Sequence, residues 1–119
     1  MLLKLKKRYH KIAIDMLSLL PDMNQIDRLN EEFQWYRDSP NRVIYLWNHH
    51  SNNWNGLLGT ETIDRVMVVR QIVITPELFN SRNCFRMLTE LKHLNPGKQI
   101  MGTISTNSIC QAWERKVRS

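Results

Sequence analysis

Glycine is scarce in this chain, with four in 119 residues and none between Thr60 and Pro96. That stretch holds ITPELFNSRNCFRML, residues 74–88, where a run of β-formers ends at Pro76 and a helical pattern begins soon after. Loops in this position often hold a phosphate, and glycine usually lets the backbone approach it closely. This loop has none, and no Walker loop stands elsewhere. Cysteine is scarcer still. Cys84 and Cys110 are far apart and form neither a CxxC pair nor a zinc spacing. A reduced, cytoplasmic protein is the simplest expectation. Long apolar runs are missing as well. None approaches the roughly 18–20 residues that cross a membrane, and the apolar part of the opening LLKLKKRYHK is too short for a signal peptide. There is no repeat, linker, low-complexity segment, Ser-His-Asp arrangement or paired-carboxylate motif. His49 and His50 have no third ligand nearby and read as a surface turn.

What remains is the balance of one soluble globular domain over residues 1–119, with 42% apolar and 24% charged residues. The formal charge is +6. Lys4, Lys6, Lys7, Arg8 and Lys11 cluster near one end and Arg115, Lys116 and Arg118 near the other. A basic surface attracts nucleotides, CoA or nucleic acid, although such clusters are commonly solvated faces.

Periodicity organises the chain. LLKLK (2–6) reads as a short strand. Ile12, Ala13, Met16, Leu17 and Leu20 recur at helical spacing from about Tyr9 to Leu20, where Pro21 stops the helix. Ile26, Leu29, Phe33 and Tyr36 mark a second helix with Asp22 as N-cap, and Trp35 falls off its stripe on the exposed side. Val43–Trp47 is a continuous run expected in a central strand buried on both faces. HHSNN (49–53) is turn material. WNGLLGTE (54–61) is a strand whose glycines suggest a bulge or a close neighbour. After a tight turn at Ile63-Asp64, RVMVVRQIVI (65–74) is a long strand, and its polar pair Arg70-Gln71 signals a bulge. Cys84, Phe85, Leu88, Leu91 and Leu94 stripe a third helix that Asn95-Pro96-Gly97 ends. QIMGTIS (99–105) is the last strand. Thr106 or Asn107 caps a final helix carrying Ile109, Trp113 and Val117. The order is β-α-α-β-β-β-α-β-α: an antiparallel meander, then a crossover that makes the strands of 65–74 and 99–105 parallel. Sheets of this kind bind ligands beyond the strand carboxyl ends, which here means the loop from Pro76 to Cys84.

This order resembles the GNAT superfamily, the GCN5-related N-acetyltransferases, over nearly the whole chain. The strand WNGLLGTE, the long strand ending IVITP, the helix after it and the last strand-helix pair carry the likeness. The opening LLKLKKRYHKIAIDMLSLLP, RQIVITP, LKHL and AWER resemble the short RibT group of riboflavin biosynthesis operons, which also stop after the fourth helix. The resemblance implies an α+β fold. It would be a mixed, mainly antiparallel twisted sheet of about five strands with four helices, lacking the last two family strands. It implies acetyl transfer from acetyl-CoA to an amine acceptor. Backbone groups of Ile72 and Ile74 would pair with the pantetheine arm. The loop Phe79, Asn80, Ser81, Arg82, Asn83 and Cys84 would wrap the pyrophosphate, and Thr106 falls on or beside the family's capping asparagine.

The chain also departs from the family. Arg82 and Cys84 stand where Gln/Arg-x-x-Gly-x-Gly/Ala has its glycines. The arginine could crowd the cradle or replace it, since a guanidinium binds phosphate with a bidentate fork. Trp113 stands where members often carry a tyrosine that protonates the leaving thiolate, and an indole has no useful acidity. Without the last two strands, a homodimer partner or an open site would complete the acceptor side. Glu61 is a candidate for the base. Cys84, near Arg82 and Arg86 at a helix N-terminus, is either a reactive thiol or, more commonly, a small buried residue. Besides acetyl transfer, a catalytically inactive binding module is a second expectation, and a basic nucleic-acid-binding domain a third that no motif supports.

Overall fold

The computed structural model describes residues 1–49 and 53–119, so His50 of the expected turn lies outside the described residues. The strands are β1 (Leu2–Lys4), β2 (Arg42–Trp47), β3 (Gly56–Ile63), β4 (Val66–Ile74) and β5 (Gln99–Gly102). The helices are α1 (His10–Leu17), α2 (Ile26–Arg37), α3 (Ser81–Leu94) and α4 (Asn107–Arg118). They follow the expected order and form an α+β fold. The sheet runs β1-β2-β3-β4-β5, antiparallel except for the parallel β4–β5 pair.

Each face of the sheet carries two helices. On one face α3 and α4 cover Tyr45, Trp47, Leu58, Met67 and Val69 with Met87, Leu88, Leu91, Cys110 and Trp113. On the other, α1 and α2 cover Ile44, Leu46, Leu57 and Val73 with Ala13, Leu17, Phe33 and Tyr36. β2 contributes to both cores, which explains its unbroken apolar run.

The bulge signalled by Arg70-Gln71 is present. Gly59 of β3 pairs with Gln71 and Thr60 pairs with Val69, so Arg70 is the extra residue in β4. The bulge absorbs the surplus with Arg70 and Gln71 on the same side, so odd positions before it and even positions after it share a face. Met67 and Val69 face α3 and α4 before the bulge, as Ile72 and Ile74 do after it. Val73 faces α1 and α2. Gly59 is required opposite the bulge: a Cβ there would collide with the Tyr36 hydroxyl, and would lie 2.6 Å from Oε1 of Gln71.

Several boundaries differ from expectation. α1 ends at Leu17 rather than at Leu20, because Leu19 is exposed and the Ser18 hydroxyl donates to the Asp15 carbonyl, closing the last turn. Asp22 does not cap α2. It sits in a separate single turn, Pro21–Met23, and α2 starts behind Gln25 with no side-chain cap. Ile26 lies outside the core. β1 ends at Lys4, and β3 begins at Gly56 rather than at Trp54. Ile63 closes β3, and the turn falls on Asp64, whose φ is 55°. Leu94 and Val117, expected in apolar stripes, are exposed, whereas Met87 and Cys110 are buried. β5 stops at Gly102 and leaves Ile104 fully exposed.

Candidate functional site

β4 outruns its parallel partner. The two strands pair from Val66 with Gln99 to Val69 with Gly102; β5 then ends while β4 continues to Ile74. The parting is built from two features. The bulge at Arg70 bends β4. Thr106, one of the two expected caps of α4, holds the N-cap position without a cap bond; its hydroxyl instead accepts from the Thr103 N–H at 2.9 Å and donates to the Val69 carbonyl at 2.6 Å. Gly102 permits this tight turn, since a Cβ would lie 2.8 Å from Cα of Asn107. Beyond the parting, Thr75 donates to the Asn55 carbonyl on the β3 side at 2.9 Å. By strand alternation the backbone groups of Ile72 and Ile74 then point to the open side.

α3 begins at the mouth of this opening. Asn80 is its N-cap and accepts from the Asn83 N–H at 2.8 Å. Buried Asn83 holds the loop by donating to the Leu78 carbonyl at 2.7 Å, and Cys84 N–H bonds to the Asn80 carbonyl. The first-turn amides of Ser81 and Arg82 precede any intrahelical partner and carry the positive end of the helix dipole. Phe79, Ser81 and Arg82 are exposed. Asp64 is the one non-glycine residue at positive φ among the described residues, so the glycine-free loop has no left-handed position to strain. Arg82, Arg86, Phe85, Thr89 and Lys116 line a groove of about 630 Å³ on the outer side of α3.

The reactive reading of Cys84 fails. Its side chain is buried, and desolvation pushes the thiol up; burial likewise pushes Cys110 up to about 11. Trp113 is buried and donates its indole N–H to the Thr89 hydroxyl at 3.0 Å. His49 lies 3.4 Å from Arg86 through its Nδ1.

On the α2 face, next to the parting, lies a cavity of about 420 Å³ whose wall includes Asp22, Arg28, Glu32, Arg70 and Gln71, with Met23 and Ile104 as its apolar part. Tyr36 donates its hydroxyl to Gln71 Oε1, and Gln71 Nε2 donates to Glu32 Oε1 at 3.2 Å. Beside this chain, Glu61 lies 3.8 Å from Arg42 and 3.6 Å from Arg70. Trp35 is not a free surface ring, because both guanidiniums stack on it, at 4.1 Å and 4.4 Å. Two cations thus flank Glu61, the base candidate from the sequence. As site residues, Glu32, Gln71 and Tyr36 escaped that reading; Tyr36 was placed only on the apolar stripe of α2, and Gln71 only in the polar pair inside β4.

Burial is the main reason why the Tyr36 phenol is pushed far above its ordinary 10.0. Above pH 10 the unfolded chain releases this proton and the folded chain keeps it. Stability therefore falls as pH rises from there, by up to about 1.4 kcal/mol per pH unit, and no such loss occurs below pH 10, where the phenol is neutral in both states. Tyr36→Phe is expected to remove that one-proton slope in denaturation series run across alkaline pH.

No family model matches the chain. It is similar to an uncharacterised N-acetyltransferase in the lysA 3′ region of Bacillus methanolicus, with 24% identity over 115 residues, 96% of this chain and 95% of the relative. Among solved structures it matches the aminoglycoside N-acetyltransferase AAC(6′)-Iy in complex with a CoA bisubstrate analog, at TM-score 0.71 and 10% identity, covering 98% of this chain and 88% of that one. It also matches the aminoglycoside 6′-N-acetyltransferase AAC(6′)-Ih of Acinetobacter baumannii, at TM-score 0.68 and 13% identity, covering 98% and 88%. The chain has the GNAT fold.

Proposed function

We propose that this chain is an acetyl-CoA-dependent N-acetyltransferase of the GNAT superfamily acting on an amine acceptor. The observation that carries the reading is the parting of β4 from β5 with the N-terminus of α3 at its mouth. An extended ligand can enter such an opening as an added strand, here along the backbone groups of Ile72 and Ile74. Its anionic end would meet the loop Phe79–Cys84, where the Ser81 and Arg82 amides and the Arg82 guanidinium offer donors. The backbone of that loop is relaxed without glycine, which supports Arg82 as a replacement for the family cradle. Bound acetyl-CoA supplies an activated acetyl thioester. The chain's own part is to hold thioester and amine together and to polarise the carbonyl with backbone N–H groups near the bulge. Thr106 keeps the parting open.

Calorimetric titration with acetyl-CoA, and separately with CoA, tests this reading. Micromolar binding is expected, weakened roughly tenfold or more in Arg82→Glu as an attractive charge becomes repulsive. No heat and no thermal shift would overturn it.

A second reading, a GNAT-type module that binds without transferring, is favoured by one observation: Trp113 is buried, bonded to Thr89 and unable to protonate a leaving group. Against it, a thiol pKa of about 8.5 makes the thiolate a competent leaving group without that acid. Steady acetyl transfer to any amine would decide for the enzyme. The association with riboflavin biosynthesis rests on the RibT-like phrases in the sequence.

A further inference from the structure

We infer that Glu32, and not Glu61, holds the acceptor amine and takes its proton, which makes the cavity on the α2 face the acceptor site; this rests on the function proposed above. Three observations converge. The cavity opens beside the place where β4 leaves β5, so a group in it reaches the opening past Gln71, the neighbour of the bulged Arg70. One oxygen of the half-buried Glu32 carboxylate is fixed by Gln71, which the buried Tyr36 fixes in turn. The other oxygen makes no bond within that chain. Glu61, by contrast, is committed to two arginines.

The groups facing Glu32 come from every element around it. Arg28 lies one turn back on α2, Asp22 on the preceding turn and Arg70 on β4. Glu31 and Arg70 bound the adjoining cavity, and Tyr36 stands beside Glu32 as a neutral phenol. Arg28 is paired with Asp22 at 4.0 Å and Arg70 with Glu61 at 3.6 Å, so the fixed Glu32 carboxylate is the local feature left to select a cation. A primary ammonium of compact build fits, with Met23 and Ile104 against its carbon chain.

The step balances without another reactant. The ammonium gives one proton to Glu32. The freed lone pair attacks the thioester carbonyl, the N–C bond forms, and the C–S bond breaks with its electrons on sulfur. The amine's second proton reaches that sulfur, and Glu32 returns its own to solvent.

The test uses CoA thioethers ending in a primary ammonium, from aminoethyl to aminobutyl, against neutral propyl-to-pentyl ethers of equal length. The wild type is expected to bind at least one ammonium ether about tenfold more tightly than its neutral match. Glu32→Gln should lose that preference while binding plain CoA and melting as the wild type does. With butylamine as acceptor and acetyl-CoA as donor, Glu32→Gln should transfer at a rate rising about tenfold per pH unit below the amine's pKa, with a flatter wild-type profile. No ammonium preference in the wild type, or the same preference in Glu32→Gln, would overturn the inference. If CoA itself fails to bind, the inference falls with the reading beneath it.

Discussion

Thr106→Val should destabilise the protein by about 2–4 kcal/mol, since each buried polar group left without a partner costs about 1–3 kcal/mol. Valine matches threonine in shape and removes only the hydroxyl. That hydroxyl serves two groups, accepting from the half-buried Thr103 N–H and donating to the buried Val69 carbonyl. Gly102 packs against it so closely that water has little room to take its place. The Val69 carbonyl is the last point at which β4 is tied to the β5 side, so the loss also loosens the start of the opening. Urea denaturation of Thr106→Val beside Thr106→Ser checks this. Serine should recover most of the loss, because it restores both hydrogen bonds and lacks only a methyl group.

Trp47→Ala should be costlier still, about 3–5 kcal/mol for the emptied volume alone. Trp47 is fully buried at the end of β2, pairing with Leu2 of β1 and Gly56 of β3. Its indole N–H donates to Glu90 of α3 at 2.8 Å. The truncation therefore opens a cavity under α3 and strips a partner from a carboxylate that otherwise has the N-terminal ammonium at 3.4 Å. Because a domain of this size is stable by only about 5–15 kcal/mol, a large drop in melting temperature should follow. Trp47→Phe should cost much less, and comparing the two by thermal melting separates the volume from the hydrogen bond.

Element order and pairing could be read in the sequence because they follow from short-range pattern. The apolar run of β2, the glycines of β3 and the polar pair in β4 each reported a real local cause: two-sided burial, the approach of Tyr36, and the extra residue Arg70. A boundary failed where a side chain bonded its own backbone, as Ser18 does at the end of α1; at Thr106 the start of α4 was placed correctly, but its hydroxyl serves Val69 instead of capping. The proposed cofactor side could be put together from the sequence because loop and helix start are contiguous. The proposed acceptor side could not. Glu32 meets Gln71 across 39 positions, and nothing in the EE of NEEF separates Glu32 from Glu31, which borders only the adjoining cavity. Periodicity places a residue on a face, but it does not say which residue of another element arrives opposite. Trp35 failed in the same way, since its two stacking arginines come from β2 and β4.

The bulge makes the length of β4 matter as much as its composition. From Val66 to Ile74 the strand carries one residue more than its pairing needs, and that surplus is Arg70. Losing the codon of Arg70 would set Gln71 directly after Val69 in plain alternation, with Ile72 and Ile74 still toward α3 and Gln71 and Val73 still toward α2, while removing the bend of the strand and the guanidinium on Trp35. Losing the codon of Val68 instead would put the residues on one side of the gap on the wrong faces. Within this strand, where a deletion falls decides how grave a genetic lesion it is.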